Sequence, residues 1–160
     1  MGERMTEPIL SPLIQFKEPP EAMRKAFPRI RDNALAAMGD KWHREMLQDH
    51  FSQVAYTKYG FQKRRKEYVK RKRKKYGHND PMRLKGTLEQ SIRSMARIST
   101  SSKKVRITMS GAQLNFATKA RVAKGYPDFR AEITAITPQQ AQTLAEFAGA
   151  RMAQELENIS

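Results

Sequence analysis

Between Lys63 and Lys75, ten of thirteen residues are Lys or Arg. A run this charged cannot be wrapped on all sides. An unpaired buried cation is costly, so at most a narrow stripe of such a segment faces a core, and the rest faces water or a polyanion. The stripe is visible: Phe61, Tyr68, Val69 and Tyr76 fall along one side at helical spacing. The segment therefore reads as a basic helix, with Lys63, Arg64, Arg65, Lys66, Lys70, Arg71, Lys72, Arg73, Lys74 and Lys75 over the remaining surface. Like charges four apart on a helix repel, and Glu67 is the one acid inside the run, so compensation is expected from outside it. His78-Asn79-Asp80-Pro81 follows as a turn.

The whole chain repeats this imbalance. Its 160 residues carry 31 Lys and Arg against 16 Asp and Glu, a net charge of +15. That argues for a polyanionic partner, with nucleic acid the commonest, and says nothing about fold. The length suits one domain with a real core. Without cysteine there is no disulfide, thiolate metal site or cysteine nucleophile. The first residues lack the continuous apolar segment of a signal peptide. No run is apolar enough to cross a bilayer, so a soluble protein with no membrane partner is expected.

Residues 1–20 read as an extended arm. Pro8, Pro12, Pro19 and Pro20 oppose helix, while Ile9, Leu10, Leu13, Ile14 and Phe16 are too apolar for a linker. Either the arm packs on its own domain or it orders on a neighbouring subunit. From Glu21, Met23, Phe27, Ile30, Ala34, Leu35 and Met38 mark one helical face, with a start or kink at Pro28. Gly39-Asp40 is the expected break, with Asp40 capping a second helix that carries Trp42, Met46, Leu47, Phe51 and Val54. Beyond the basic segment, Leu84, Leu88, Ile92 and Met95 suit a short helix. Arg97–Thr100 and Val105–Met109, joined by a polar turn, predict a β-hairpin with Val105, Ile107 and Met109 on one face. Residues 111–125 read as a strand plus a basic loop, and Arg130–Ile136 as a third strand. Thr137-Pro138-Gln139-Gln140 is a capping box opening a helix to about Glu157, with Leu144, Phe147, Ala148, Met152 and Leu156 inward. The expected class is α+β, a single domain over residues 21–160: N-terminal helices, a long basic helix, a small antiparallel sheet and a closing helix.

No catalytic constellation emerges. No G-x-S-x-G elbow surrounds a serine, and the eight glycines form no phosphate loop. His43 and His50 can share a helix face near Glu45 and Asp49, but their spacing matches no zinc motif, and solvent-facing or ion-paired histidines are expected. A metal-dependent nuclease would need clustered carboxylates, which are sparse in the C-terminal two thirds. No enzyme activity, cofactor or metal is expected. For the basic run three roles compete: a solvated face that keeps the chain soluble, contact with nucleic-acid phosphates, and docking on an acidic protein surface.

The order of an aromatic–basic helix followed by Pro81-Met82-Arg83-Leu84-Lys85-Gly86-Thr87-Leu88-Glu89-Gln90-Ser91-Ile92 resembles the bacteriophage virion-morphogenesis, or tail-completion, proteins. Pro81, Leu84, Gly86, Leu88, Ser91 and Ile92 carry the match, and Asn115-Phe116-Ala117 stands where the family often has Tyr-Ala. The resemblance spans roughly residues 42–157. It departs at Thr118–Gly125, and at Pro127-Asp128-Phe129-Arg130, where the family's proline-containing stretch is shortened. It implies a virion protein at the head–tail junction: a homo-oligomeric neck ring without catalytic residues, joined to portal or adaptor and tail proteins, with packaged DNA inside. Residues 8–16 would then reach a neighbouring subunit, and Lys63 to Lys75 would face DNA or an acidic partner. A reading from another class is a stand-alone basic nucleic-acid-binding protein, ribosome- or nucleoid-associated.

Overall fold

The structure, a computed structural model, describes residues 21–83, 85–94, 96–101, 104–109 and 119–159. The apolar arm at Ile9, Leu10, Leu13, Ile14 and Phe16 lies outside these residues, as does Asn115-Phe116-Ala117. The architecture is α+β. Helix α1 (Glu21–Lys41) is followed by a short wide-wound helical turn over Trp42–Met46, a 3-10 turn over Leu47–Phe51 and a one-turn α2 (Val54–Lys58). The basic α3 (Lys66–Tyr76) and α4 (Thr87–Ser94) precede a hairpin of β1 (Ala96–Ser101) and β2 (Lys104–Met109). Short helices α5 (Lys119–Ala123) and α6 (Phe129–Ile133) lead to α7 (Pro138–Glu157).

The hairpin pairs antiparallel, Ala96 opposite Met109 and Ser101 opposite Lys104, as the alternation of Val105, Ile107 and Met109 predicts. One face of it lies on α1. Gly39 is the reason they meet so closely. A methyl group there would stand 2.8 Å from Val105 Cγ1 and 3.3 Å from Ile98 Cγ2. The expected break at Gly39-Asp40 is therefore corrected: α1 runs through both residues, and the glycine serves close packing rather than termination. Pro28 likewise lies within α1, with Ile30 and Ala34 fully buried beyond it.

Helix α7 lies antiparallel to α1, with Asn33 bonded to Glu155 and the Lys41 ammonium over the Phe147 ring. That register carries the N-terminal turns of α1 past the end of α7, which leaves Phe27 exposed although it shares the face of Ile30 and Ala34. The core gathers Trp42, Leu47, Phe51, Ile92, Ile133 and Leu144, with Met38, Met46, Leu88 and Ile107 at its margin. The change of helical winding after Lys41 shifts the register of the second segment. Trp42, Leu47 and Phe51 stay inward, but Val54 turns to solvent and Ala55 is buried in its place.

Two further expectations are corrected. Arg130–Ile136 is not a strand: Asp128 caps α6, its carboxylate accepting from the Arg130 and Ala131 amides at 3.1 Å, and Ile136 is exposed. Of residues 111–125, the described part begins at 119, where Lys119–Ala123 form α5 in place of the expected basic loop, and residues 111–118 lie outside the described residues. The capping box forms as its sequence predicts, with Thr137 Oγ1 accepting from the Gln140 amide and Gln140 Oε1 accepting from the Thr137 amide, both at 3.1 Å.

Candidate polyanion-binding surface

The basic segment divides into two structures. Helix α3 starts only at Lys66, and residues 61–65 are not helical. Phe61 explains this. It is buried beside Tyr59, Tyr56 and the His50 ring, which draws the chain before α3 down onto the domain. Arg64 follows it inward. Its guanidinium meets Glu132 through two bonds, Nη1 to Oε1 at 2.8 Å and Nη2 to Oε2 at 2.5 Å. Both side chains are more than nine-tenths buried. The same guanidinium lies over the rings of Tyr56 and Phe129, at 5.9 and 5.2 Å from their centres. Glu132 Oε1 also accepts from the Gln62 amide at 3.1 Å. A paired, bidentate arrangement of this kind is how a buried charge is tolerated.

Lys72 is the second inward cation. It is 5 % exposed, and its ammonium donates to the Asp80 carbonyl and sits over the Tyr68 ring. Burial pushes its pKa below the usual lysine value, partly countered by the charge of Asp80. This contact folds the turn at 78–81 back along α3. Gly77 closes the helix with φ +76°, donating its amide to the Arg73 carbonyl at 2.9 Å.

The sequence-predicted cations thus separate cleanly. Arg64 and Lys72 are braces and face inward, which corrects their assignment to the contact surface. Lys63, Arg65, Lys66, Lys70, Arg71, Arg73, Lys74 and Lys75 are exposed, and none makes an ion pair among the described residues. The acids that pair elsewhere serve other parts of the fold, such as Asp49 with Lys58 at 2.6 Å, a bond that raises the lysine's pKa. Lys66, Lys70, Arg73 and Lys74 fall on one side of α3 by helical geometry. They border a groove of about 540 Å³ whose other wall includes Asn79. A second recess of about 280 Å³, bordered by Gln53, Tyr56 and Lys63, shares Arg64, Val69 and Asn79 with it.

The histidines differ from expectation. His43 and His50 are neither solvent-facing nor ion-paired. Both are buried and bonded to main-chain carbonyls, His43 Nε2 to Ile92 and His50 Nε2 to Ala135, each at 2.8 Å. His50 also stacks on Tyr59 with ring centres 4.0 Å apart, and burial lowers its pKa more than the Ala135 carbonyl raises it. Tyr59 is fixed in turn by Gln140 Nε2, which donates to its hydroxyl at 2.8 Å. Among the described residues no group of three or more His, Asp or Glu side chains is placed to hold a metal ion, and no helix is long and apolar enough to cross a membrane.

Comparisons with protein-family models, curated proteins and solved structures give no match to this chain.

Proposed function

We propose that this chain is a non-enzymatic structural subunit of a bacteriophage neck, of the tail-completion or tail-terminator type. In this reading it forms a homo-oligomeric ring that joins or seals the head–tail junction between portal or adaptor and tail proteins. The observation that carries the reading is the set of eight exposed cations on and beside α3, none of them ion-paired among the described residues, on a segment braced by two buried cations. A ring lined with such a surface would meet DNA passing through it with weak contacts multiplied by copy number. The Pro81-to-Ile92 segment adds support through its likeness to the tail-completion pattern, with Pro81 and Ile92 buried and Leu88 at the core margin. The arm at residues 8–16 supplies the apolar anchors by which one subunit would hold the next.

Native mass spectrometry of the full chain tests the assembly. A discrete oligomer is expected, and serine at Leu10, Leu13 and Phe16 together should release monomers. A chain that stays monomeric at high concentration would contradict the ring.

A further inference from the structure

The β1–β2 hairpin is a ribbon with two unlike faces. Ile98, Thr100, Val105 and Ile107 are half-buried on the side of α1, where Val105 and Ile98 close on Gly39. The outward face consists of Arg97, Ser99 and Ser101 from β1 and Lys104, Arg106 and Thr108 from β2, all exposed. The register couples them regularly: Ser101 stands opposite Lys104, Ser99 opposite Arg106, and Arg97 opposite Thr108. Each cross-strand pair therefore holds one cation and one hydroxyl, with Cβ atoms about 5 Å apart. Successive pairs lie two residues apart along the ribbon, about 7 Å, close to the spacing of neighbouring phosphates on a polynucleotide strand. No acid lies among these six side chains, and none of the three cations makes an ion pair among the described residues. A ribbon face that served only solubility would gain from mixed signs, because opposite charges across strands stabilise and like charges do not.

We infer that the outward face of the hairpin is a second nucleic-acid contact, a row of three seats for successive phosphates of one strand. In each seat the cation supplies countercharge, and the hydroxyl donates a hydrogen bond to a phosphate oxygen. This rests on the reading of the chain as one that faces nucleic acid, and it adds a surface built from other residues than those of α3. The composition of the face favours a phosphate backbone over an acidic protein. A protein interface centres on buried apolar or aromatic anchors, and none of these six side chains supplies one. An acidic peptide that added as a strand would pair along an edge of the ribbon and leave this face unused. Arginine, lysine, serine and threonine are, by contrast, the side chains that meet phosphate oxygens.

The test is fluorescence anisotropy with the full chain against a mixed-sequence duplex DNA and against polyglutamate, each over a range of salt. Arg97→Gln with Arg106→Gln should lower duplex affinity about tenfold and reduce the slope of log affinity against log salt by about 2. Arg97→Lys with Arg106→Lys keeps both charges and should keep the slope. Ser99→Ala should weaken duplex binding about threefold, the size of one neutral hydrogen bond, with the slope unchanged. These side chains all face solvent, so circular dichroism should stay that of the native fold in every variant. Normal duplex affinity and slope in the Arg97→Gln, Arg106→Gln variant, beside a loss in Lys70→Gln with Lys74→Gln, overturns the hairpin seats and leaves the nucleic-acid reading standing. A loss confined to polyglutamate assigns the face to an acidic polypeptide and overturns them as well. If the unaltered chain binds no duplex at low salt, the nucleic-acid reading falls, and the seats fall with it.

Discussion

Glu132 and Arg64 show what a single pair of residues decides in so basic a chain. Glu132→Gln would leave a buried guanidinium with its main-chain bond to Gln62 and its two aromatic neighbours but no countercharge. Breaking a buried pair from one side costs about 3 kcal/mol or more, so chemical denaturation should show a loss of that size. The same substitution at Glu89, whose partners Arg83 and Arg93 are exposed, should cost under about 1 kcal/mol. His50 contributes a pH dependence just below neutrality. Its folded pKa lies below that of the unfolded chain, so the unfolded state binds the proton more readily. Stability is then fully present above about pH 6.5 and falls as pH drops below it, toward the folded pKa. Melting temperatures measured downward from neutral pH should decline, with a contribution from this group no steeper than about 1.4 kcal/mol per pH unit. His50→Gln should flatten that decline.

At the scale of elements, the meeting of α1 with the hairpin is governed by Gly39. Gly39→Val should push Val105 and Ile98 away and destabilise by roughly 2 kcal/mol, the usual size of overpacking, although glycine is itself a poor helix residue. Helix α3 makes a different prediction. Lys70→Gln with Lys74→Gln removes two exposed charges, so the slope of log affinity against log salt for duplex DNA should fall by about 2 without loss of stability. The elements also show what the sequence could disclose. The capping box at Thr137 and the alternation from Val105 to Met109 are local signals, and both formed as read. The strand expected at Arg130–Ile136 failed because Asp128, two residues before Arg130, caps a helix there and holds Phe129 and Ile133 at helical spacing. The basic helix was expected from the stripe that begins at Phe61, but Phe61 is claimed by the aromatic cluster of His50, Tyr56 and Tyr59 and ends that stripe early. Nothing local distinguishes Arg64 or Lys72 from their neighbours. Their burial depends on Glu132 and the Asp80 carbonyl, and Glu132 lies sixty-eight residues away from Arg64.

At the scale of the molecule, the fold spends two of its cations as braces and keeps eight outward on one segment. That arrangement suits a subunit whose surface is shared among many copies, because each copy then needs only weak contact with the polyanion. Tyr56 and Gln53 border the smaller recess beside α3, where the contact of Tyr56 with Phe61 holds the start of α2. The most direct measurement is electron microscopy of particles assembled in the source with and without this chain. Density for it as a ring at the head–tail junction is expected, and filled heads separated from tails, or leaking DNA, when it is missing. Normal particles without it, or no density at the junction, would contradict the proposed neck role.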